Sequence, residues 1–178
     1  ATRSGGFALC SHAALARAPQ LAAGFRHLVA LDPPALPSQD ACMRAGGSTG
    51  TASFTHLTWG AAELRFAQQI HESEHALRAS LVPLYRALRE HGTAAGEELE
   101  RLLRGEGAHG RSATLAARLL GTLAELGLIS LDRELAVVTV IEAERTALDR
   151  SATFQAARKR YEDGLRWLNG RTPTPTLA

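Results

Sequence analysis

Three segments between residues 81 and 127 carry leucines at helical spacing, and a glycine follows each of them. Apolar residues three or four positions apart favour amphipathic helices, and glycine readily ends a helix. Ser112 can cap the third segment, whose leucines form one apolar stripe. Helices are therefore predicted over residues 81–91, 96–103 and 112–126.

Two runs typical of strands follow the third segment. Residues 128–131 are apolar except for Ser130, residues 135–141 are rich in β-branched side chains, and the polar residues 132–134 between them suit a turn. Three helices followed by a hairpin is the order of a winged helix-turn-helix. Because that fold serves both to read nucleic acid and to bind proteins, the order leaves both functions open.

The first 59 residues alternate short apolar runs with helix signals. Strands are predicted over residues 6–10, 26–31 and 53–59, with a short helix capped by Ser11 and another over residues 39–44 between them. Strand–helix–strand–helix–strand implies a small parallel three-stranded sheet with right-handed crossovers. The predicted fold class is therefore α/β.

A connector helix and a terminal helix complete the pattern. Pro83 is expected to break the long apolar pattern that begins at Gly60. Apolar residues recur at steps of three or four from Phe154 to Leu168, which predicts a terminal amphipathic helix. The predicted segments are 1–59 (α/β subdomain), 60–80 (connector helix), 81–170 (winged-helix-like unit with the terminal helix) and 171–178 (disordered tail).

Composition narrows the function classes. The net charge is only +2, and Lys159 is the only lysine among 20 basic residues, so the chain lacks the excess of charge expected of a protein that binds nucleic acid mainly through charge. Cys10 and Cys42 form no C-x-x-C pair, which argues against structural zinc or a disulfide framework. No run has the length of a membrane span or a secretory signal, so we expect no membrane contact and a cytoplasmic location.

Two motifs suggest chemistry that their surroundings do not support. His71, Glu72 and His75 match H-E-x-x-H, a zinc-hydrolase pattern. Glu74 and an apolar register through Ile70 and Leu77 favour a solvated helix face instead. The glycine-rich residues 46–50 precede a strand, whereas phosphate-binding loops precede a helix, so a plain loop is predicted. We predict no metal site and no catalytic residue.

Basic residues in the winged-helix-like unit are candidates for binding. An arginine cluster beside leucines would suit an acidic peptide tail, because arginine makes forked, charge-assisted hydrogen bonds with carboxylates. The alternative is that these arginines only pair with glutamates 97, 98, 100 and 106. The candidate partner-binding residues are Arg101, Arg104, Arg111 and Arg118. The candidate nucleic-acid contacts are His109, Arg158, Lys159 and Arg160.

The chain resembles the C-terminal region of bacterial RecJ, the single-stranded-DNA-specific exonuclease, in its actinobacterial and deinococcal forms. The similarity covers about residues 5–168 and consists of an ordered set of segments rather than one diagnostic motif. These segments are 24–34 (GFRHLVALDPP), 56–60 (HLTWG), 84–88 (LYRAL), 111–112, 119–120, 124–128 (AELGL), 151–154 (SATF) and 165–168 (LRWL).

The resemblance implies an accessory domain without catalysis. The family's catalytic core uses Mn²⁺ or Mg²⁺ held by an Asp-His-His motif, which this chain lacks. The implied function is protein interaction in DNA repair and recombination. The implied partners are the rest of a RecJ chain and either the acidic tail of single-stranded-DNA-binding protein or a HerA-type ATPase, with weak or indirect contact to single-stranded DNA. The alternative is a free-standing winged-helix DNA-binding module.

Overall fold

The computed structural model describes residues 6–45, 54–106, 109–141 and 146–171. The chain forms two compact units, one of residues 1–71 with 163–178 and one of residues 72–162. These boundaries differ from the predicted segments, because the terminal helix begins in the second unit and ends in the first. The predicted glycine-rich loop and the tail beyond Arg171 lie outside the described residues.

The fold is mixed α/β, with one parallel and one antiparallel sheet among the described residues. The helices are α1 (His12–Arg17), α2 (Pro37–Ala45), α3 (Ala61–His75), α4 (Leu77–His91), α5 (Gly96–Arg104), α6 (Ala113–Glu125) and α7 (Ala152–Asn169), with 3₁₀ turns at Pro19–Ala22 and Leu148–Arg150. The strands are β1 (His27–Ala30), β2 (Phe54–Leu57), β3 (Thr93–Ala95), β4 (Ile129–Asp132) and β5 (Val137–Val140).

The parallel sheet of the first unit has two strands in the described residues, β1 and β2, paired from His27 with Phe54 to Ala30 with Leu57. The predicted third strand over residues 6–10 is wrong. Residues 6–10 form no strand, and all five are exposed, Phe7 to 95%. An apolar run of five residues favours a strand only where a neighbouring strand can accept its backbone hydrogen bonds.

Helix α3 buries a face that the sequence pattern did not indicate. Leu64 and Ala67 are buried and pack with Leu168 of α7, whereas Ile70 is 48% exposed. Residues three, four and seven positions apart share a helix face, so the buried face reaches His71, which is only 4% exposed. The prediction of a solvated face for His71 is therefore wrong.

The second unit places α4 at its centre, and Pro83 does not break this helix. The break falls instead at Ala76, between α3 and α4. Pro83 lies on the exposed side of α4 and removes one helix hydrogen bond. The opposite side packs four leucines into the core, and this burial keeps the helix continuous. The four are Leu77, Leu81, Leu84 and Leu88, each at most 3% exposed.

The predicted helices and hairpin of this unit are confirmed. The hydroxyl of Ser112 accepts the Leu115 amide at 3.0 Å, and Gly105 and Gly127 end their helices with φ of 71° and 70°. A strand that the sequence did not indicate, β3, pairs antiparallel with β5, which gives the sheet order β3-β5-β4. None of the described helices combines the length and apolar character that crossing a membrane requires.

Candidate partner-binding groove

The side chain of Arg111 binds the C-terminal end of α5. Its Nη1 donates to the carbonyl oxygens of Leu102 and Leu103 at 3.1 and 3.3 Å, and its backbone amide donates to the Arg104 carbonyl at 2.8 Å. These oxygens belong to the last turn of α5, where carbonyls have no partner within the helix. The guanidinium lies against Gly105, which leaves the space it needs. Arg111 thus caps α5.

Arg118 has the same role at the end of α3. Its Nη1 donates to the Glu74 carbonyl at 2.8 Å and lies 3.5 Å from the Glu74 carboxylate and 3.4 Å from His75 Nδ1. Burial lowers the pKa of Arg118, the Glu74 charge opposes that change, and Arg160 adds to it. A cation at the C-terminal end of a helix is favourable.

The predicted arginine cluster therefore divides into two kinds of residue. Arg101 and Arg104 lie on the exposed surface of α5, and Arg104 pairs with Glu100 at 3.6 Å. The guanidiniums of Arg111 and Arg118 already donate to main-chain oxygens, which leaves them fewer hydrogens for a partner. The structure therefore supports only part of this set as a binding surface.

A groove of about 780 Å³ lies elsewhere in the second unit, at the N-terminus of α4. We call it the α4 groove. One wall is the start of α4, another is the segment around the 3₁₀ turn, and the third is α7. Its lining residues are His75, Ala76, Leu77, Arg78, Ala79, Thr146, Ala147, Leu148, Asp149, Phe154, Arg158 and Tyr161.

Helix α7 contributes three of these side chains from one face. Phe154, Arg158 and Tyr161 are four and three positions apart, which is the spacing of neighbours on a helix. The start of α7 is fixed by Ser151, whose hydroxyl accepts the Phe154 amide at 3.0 Å. The carboxylate of Glu125 in turn accepts the Ser151 hydroxyl at 2.7 Å. The end of α6 thereby fixes the wall of the groove.

The electrostatics of the groove favour an anion. Two arginines, Arg78 and Arg158, line it against one aspartate, Asp149, which pairs with Arg158 at 2.7 Å. No side chain caps α4 at Ala76, so the first amides of this 15-residue helix present their partial positive charge there. The buried hydroxyl of Thr146 has no hydrogen-bond partner among the described residues.

The same groove carries apolar and aromatic surface. Leu77 is buried, and Leu148, Phe154 and Tyr161 are partly buried. Burial raises the pKa of Tyr161, and the charge of Glu72 and a hydrogen bond to it raise the pKa further. The phenol is therefore neutral at physiological pH and contributes a ring and a polar tip to the groove.

The predicted nucleic-acid residues do not form one surface. His109 lies in the loop before α6, whereas residues 158, 159 and 160 are consecutive on α7 and point in directions about 100° apart. Arg158 faces the α4 groove, and Lys159 and Arg160 are exposed. The exposed positions in the first half of α6 are Ala113, Thr114 and Ala117, which offer one hydroxyl for reading bases.

The H-E-x-x-H motif does not present two free imidazoles. His71 is buried against Gly164 within the first unit, and His75 contacts Arg118 within the second unit. Among the described residues, no three His, Cys, Asp or Glu side chains group in a way that would hold a metal ion.

Sequence patterns did not indicate the α4 groove, since its three walls are far apart along the chain. The helical spacing of Phe154, Arg158 and Tyr161 was visible in the sequence. Nothing in the sequence around Arg78 indicated that this residue would join them. Comparisons with protein-family models, with curated proteins and with solved structures found no match for this chain.

Proposed function

We propose that this chain is a non-catalytic interaction module in which a winged-helix unit binds an acidic segment of a partner protein at the α4 groove. The resemblance to the C-terminal region of RecJ-type exonucleases implies an accessory domain that contacts repair partners, and the α4 groove supplies a place for that contact. On this proposal the module recruits partners to a 5′→3′ exonuclease of DNA repair and recombination, in the cytoplasm. Any Mn²⁺ or Mg²⁺ chemistry then belongs to the catalytic core of the larger enzyme.

The order of elements in the second unit supports the winged-helix assignment. Helix α4 is followed by β3, then by α5 and α6, and then by the β4–β5 hairpin. Strand β3 pairs with β5, so the strand between α4 and α5 and the hairpin form one antiparallel sheet. In DNA-binding members of this fold, α6 would be the recognition helix.

The observation that carries the proposal is the combination of charges in the α4 groove. Arg78 and the uncapped start of α4 attract carboxylates, and Arg158 can join them by exchanging its pair with Asp149 for a carboxylate of the partner. The apolar floor at Leu148 and Phe154 can take a leucine or an aromatic ring from the same peptide. The expected ligand is therefore a peptide that carries acidic residues next to one apolar side chain.

The surfaces that would face DNA in a DNA-binding winged helix, the start of α6 and the hairpin tip, favour a protein partner over DNA. The exposed start of α6 offers alanines and a single threonine, and specific base reading needs several donors or acceptors. The hairpin tip carries Asp132 and Glu134 beside Arg133, so it would repel phosphate. Asp132 Oδ1 also accepts the Glu134 and Leu135 amides at 3.0 Å, which fixes the acid at the tip.

Fluorescence anisotropy with a labelled peptide of four aspartates and a C-terminal phenylalanine tests the proposal. The double variant Arg78→Glu/Arg158→Glu should bind this peptide at least about tenfold more weakly than the native chain, since a charge-assisted hydrogen bond contributes about 1.5–3 kcal/mol. The matched control is Arg101→Glu/Arg104→Glu, which makes the same charge change on α5 and should keep binding within about twofold.

The outcomes separate the alternatives. Loss of binding in the α5 double variant alone would assign the site to the arginines that the sequence indicated. Salt-dependent binding of DNA without binding of the peptide would favour the free-standing DNA-binding module. Purified single-stranded-DNA-binding protein with its acidic tail, compared with the tail-less form, and a HerA-type ATPase then test the named partners directly.

A further inference from the structure

The open face of the parallel sheet in the first unit carries three rings in a row. His27 of β1 lies between Phe54 and His56 of β2, with ring centroids 5.3 Å apart in both cases. The interplanar angles are 17° and 26°. All three side chains are exposed, so solvent reaches the rings.

The two imidazoles also meet through their nitrogens. His27 Nδ1 lies 3.0 Å from His56 Nε2, which is a hydrogen bond between the two rings. In this bond one nitrogen carries a hydrogen and the other presents a lone pair. The parallel register brings the two histidines together. His27 is opposite Phe54 and His56 is opposite Val29, so the two histidines are diagonal neighbours across the strands.

This separation matches that of two ligands on one metal ion. Imidazole nitrogens bind zinc at about 2.0–2.1 Å, so two of them at angles of 90–109° lie about 2.8–3.4 Å apart. The strands therefore already hold the two nitrogens at the separation that coordination needs. The nitrogens now point at each other, so both exposed rings must tilt to turn their lone pairs toward one ion. Imidazole suits Zn²⁺, Ni²⁺ and Cu²⁺, whereas Mg²⁺ and Ca²⁺ prefer oxygen.

We propose that His27 and His56 form a solvent-open two-histidine site for a transition-metal ion that clamps β1 to β2. The metal takes His27 Nδ1 and His56 Nε2, and the hydrogen that these nitrogens share moves through solvent to the other nitrogen of its ring. Both imidazoles stay neutral and no proton is lost in total. Water fills the remaining positions, since no third protein ligand joins the pair among the described residues.

A clamp at this place would stabilise a short two-stranded sheet. Strands β1 and β2 have four residues each, and two-stranded sheets are marginal by themselves. Among the described residues, one face of the sheet packs on the core, through Ala30, Leu28 and Leu57. An ion that binds the folded sheet and not the unfolded chain raises stability by mass action. This site lies in the other unit from the α4 groove and does not depend on the proposed function.

Isothermal titration of the full, untagged chain with Zn²⁺ and with Ni²⁺ tests the site. His27→Ala and His56→Ala should each weaken binding at least tenfold, because one imidazole alone gives no chelate. The matched controls are His109→Ala, an exposed histidine of the second unit, and Cys10→Ser, which removes an exposed thiol. Both controls should bind as the native chain does.

The thermal midpoint gives a second measurement. Added Zn²⁺ should raise the midpoint of the native chain and of the controls, and leave that of the two histidine variants unchanged. All five proteins are compared by circular dichroism without metal, which shows whether each variant is folded. Equal binding in the native chain and the histidine variants, loss in His109→Ala or Cys10→Ser, or no binding by the native chain would each overturn the site.

Discussion

The imidazole of His71 in α3 lies directly on Gly164 in α7. A β-carbon built at position 164 would overlap the atoms Cε1 and Nε2 of the ring. The ring is 4% exposed and Gly164 is buried. The two helices come close at this point because one residue is large and flat and the other has no side chain. Glycine is thus required at 164 for close approach rather than for backbone conformation.

Replacing Gly164 by alanine should lower stability. The added methyl group has no room, and overpacking of this kind costs about 1–3 kcal/mol. Urea unfolding of the variant and the native chain measures the difference. Gly121→Ala is the matched control, since its β-carbon would meet only Thr153 at an ordinary 3.7 Å and alanine favours a helix. An unchanged Gly164→Ala variant would show that the helices do not approach so closely.

His71→Ala should also destabilise the chain, by about 2 kcal/mol or more, because it removes a large buried side chain. His109→Ala, at an exposed position, should change stability by no more than about 0.5 kcal/mol. The same urea experiment measures both. Equal and small effects would place His71 on a solvated face.

Glu125→Gln should weaken the junction between α6 and α7 in a pH-dependent way. Hydrogen bonds from the Ser151 hydroxyl, the Thr153 hydroxyl and the Thr153 amide lower the pKa of Glu125 from 4.5 to about 2. Because the folded pKa lies below the unfolded one, the stabilisation is present above about pH 4.5 and is lost as the pH falls toward 2. Glu125 is exposed, so the loss at pH 7 should be about 1 kcal/mol or less.

Thermal unfolding between pH 2 and pH 7 measures this difference. The midpoints of Glu125→Gln and the native chain should converge as the pH falls below 4.5. Glu134→Gln, at the exposed hairpin tip, makes the same chemical change and should follow the native curve. A difference in midpoint between Glu125→Gln and the native chain that stays constant at all pH values would contradict a role for the carboxylate charge.

Arg111→Ala should destabilise the second unit by about 1–2 kcal/mol, because the carbonyls of Leu102 and Leu103 lose a charged donor. Arg101→Ala on the exposed side of α5 should change stability by no more than about 0.5 kcal/mol. Urea unfolding monitored by circular dichroism measures both variants. If the two match, Arg111 is not a cap and is available to a partner.

The purified chain should not degrade single-stranded DNA in the presence of Mn²⁺ or Mg²⁺. A two-metal phosphodiester mechanism needs several acid and imidazole ligands around the ions, and the Asp-His-His motif does not occur in the sequence. Release of nucleotides from a 5′-labelled oligonucleotide measures the activity. Metal-dependent release that co-purifies with the chain and is lost on mutation would contradict a non-catalytic role.

Much of the second unit followed from local signals, whereas the candidate site did not. The serine cap at Ser112 and the glycines at 105 and 127 act within a few residues of their helices, so the sequence predicted these ends. The α4 groove joins Arg78, Asp149 and Tyr161, which are far apart along the chain. No local pattern predicts such a meeting.

The sequence by itself determined the three helices and the hairpin of the second unit, because caps, glycine stops and β-branched runs act on neighbouring residues. Tertiary structure decided which of these elements persist and what they bury. Pairing with β5 makes a strand of residues 93–95, and residues 6–10 form none for want of a partner strand. Packing keeps α4 continuous through Pro83, and contact with Gly164 buries His71. Each of these outcomes depends on atoms that only the folded chain brings together.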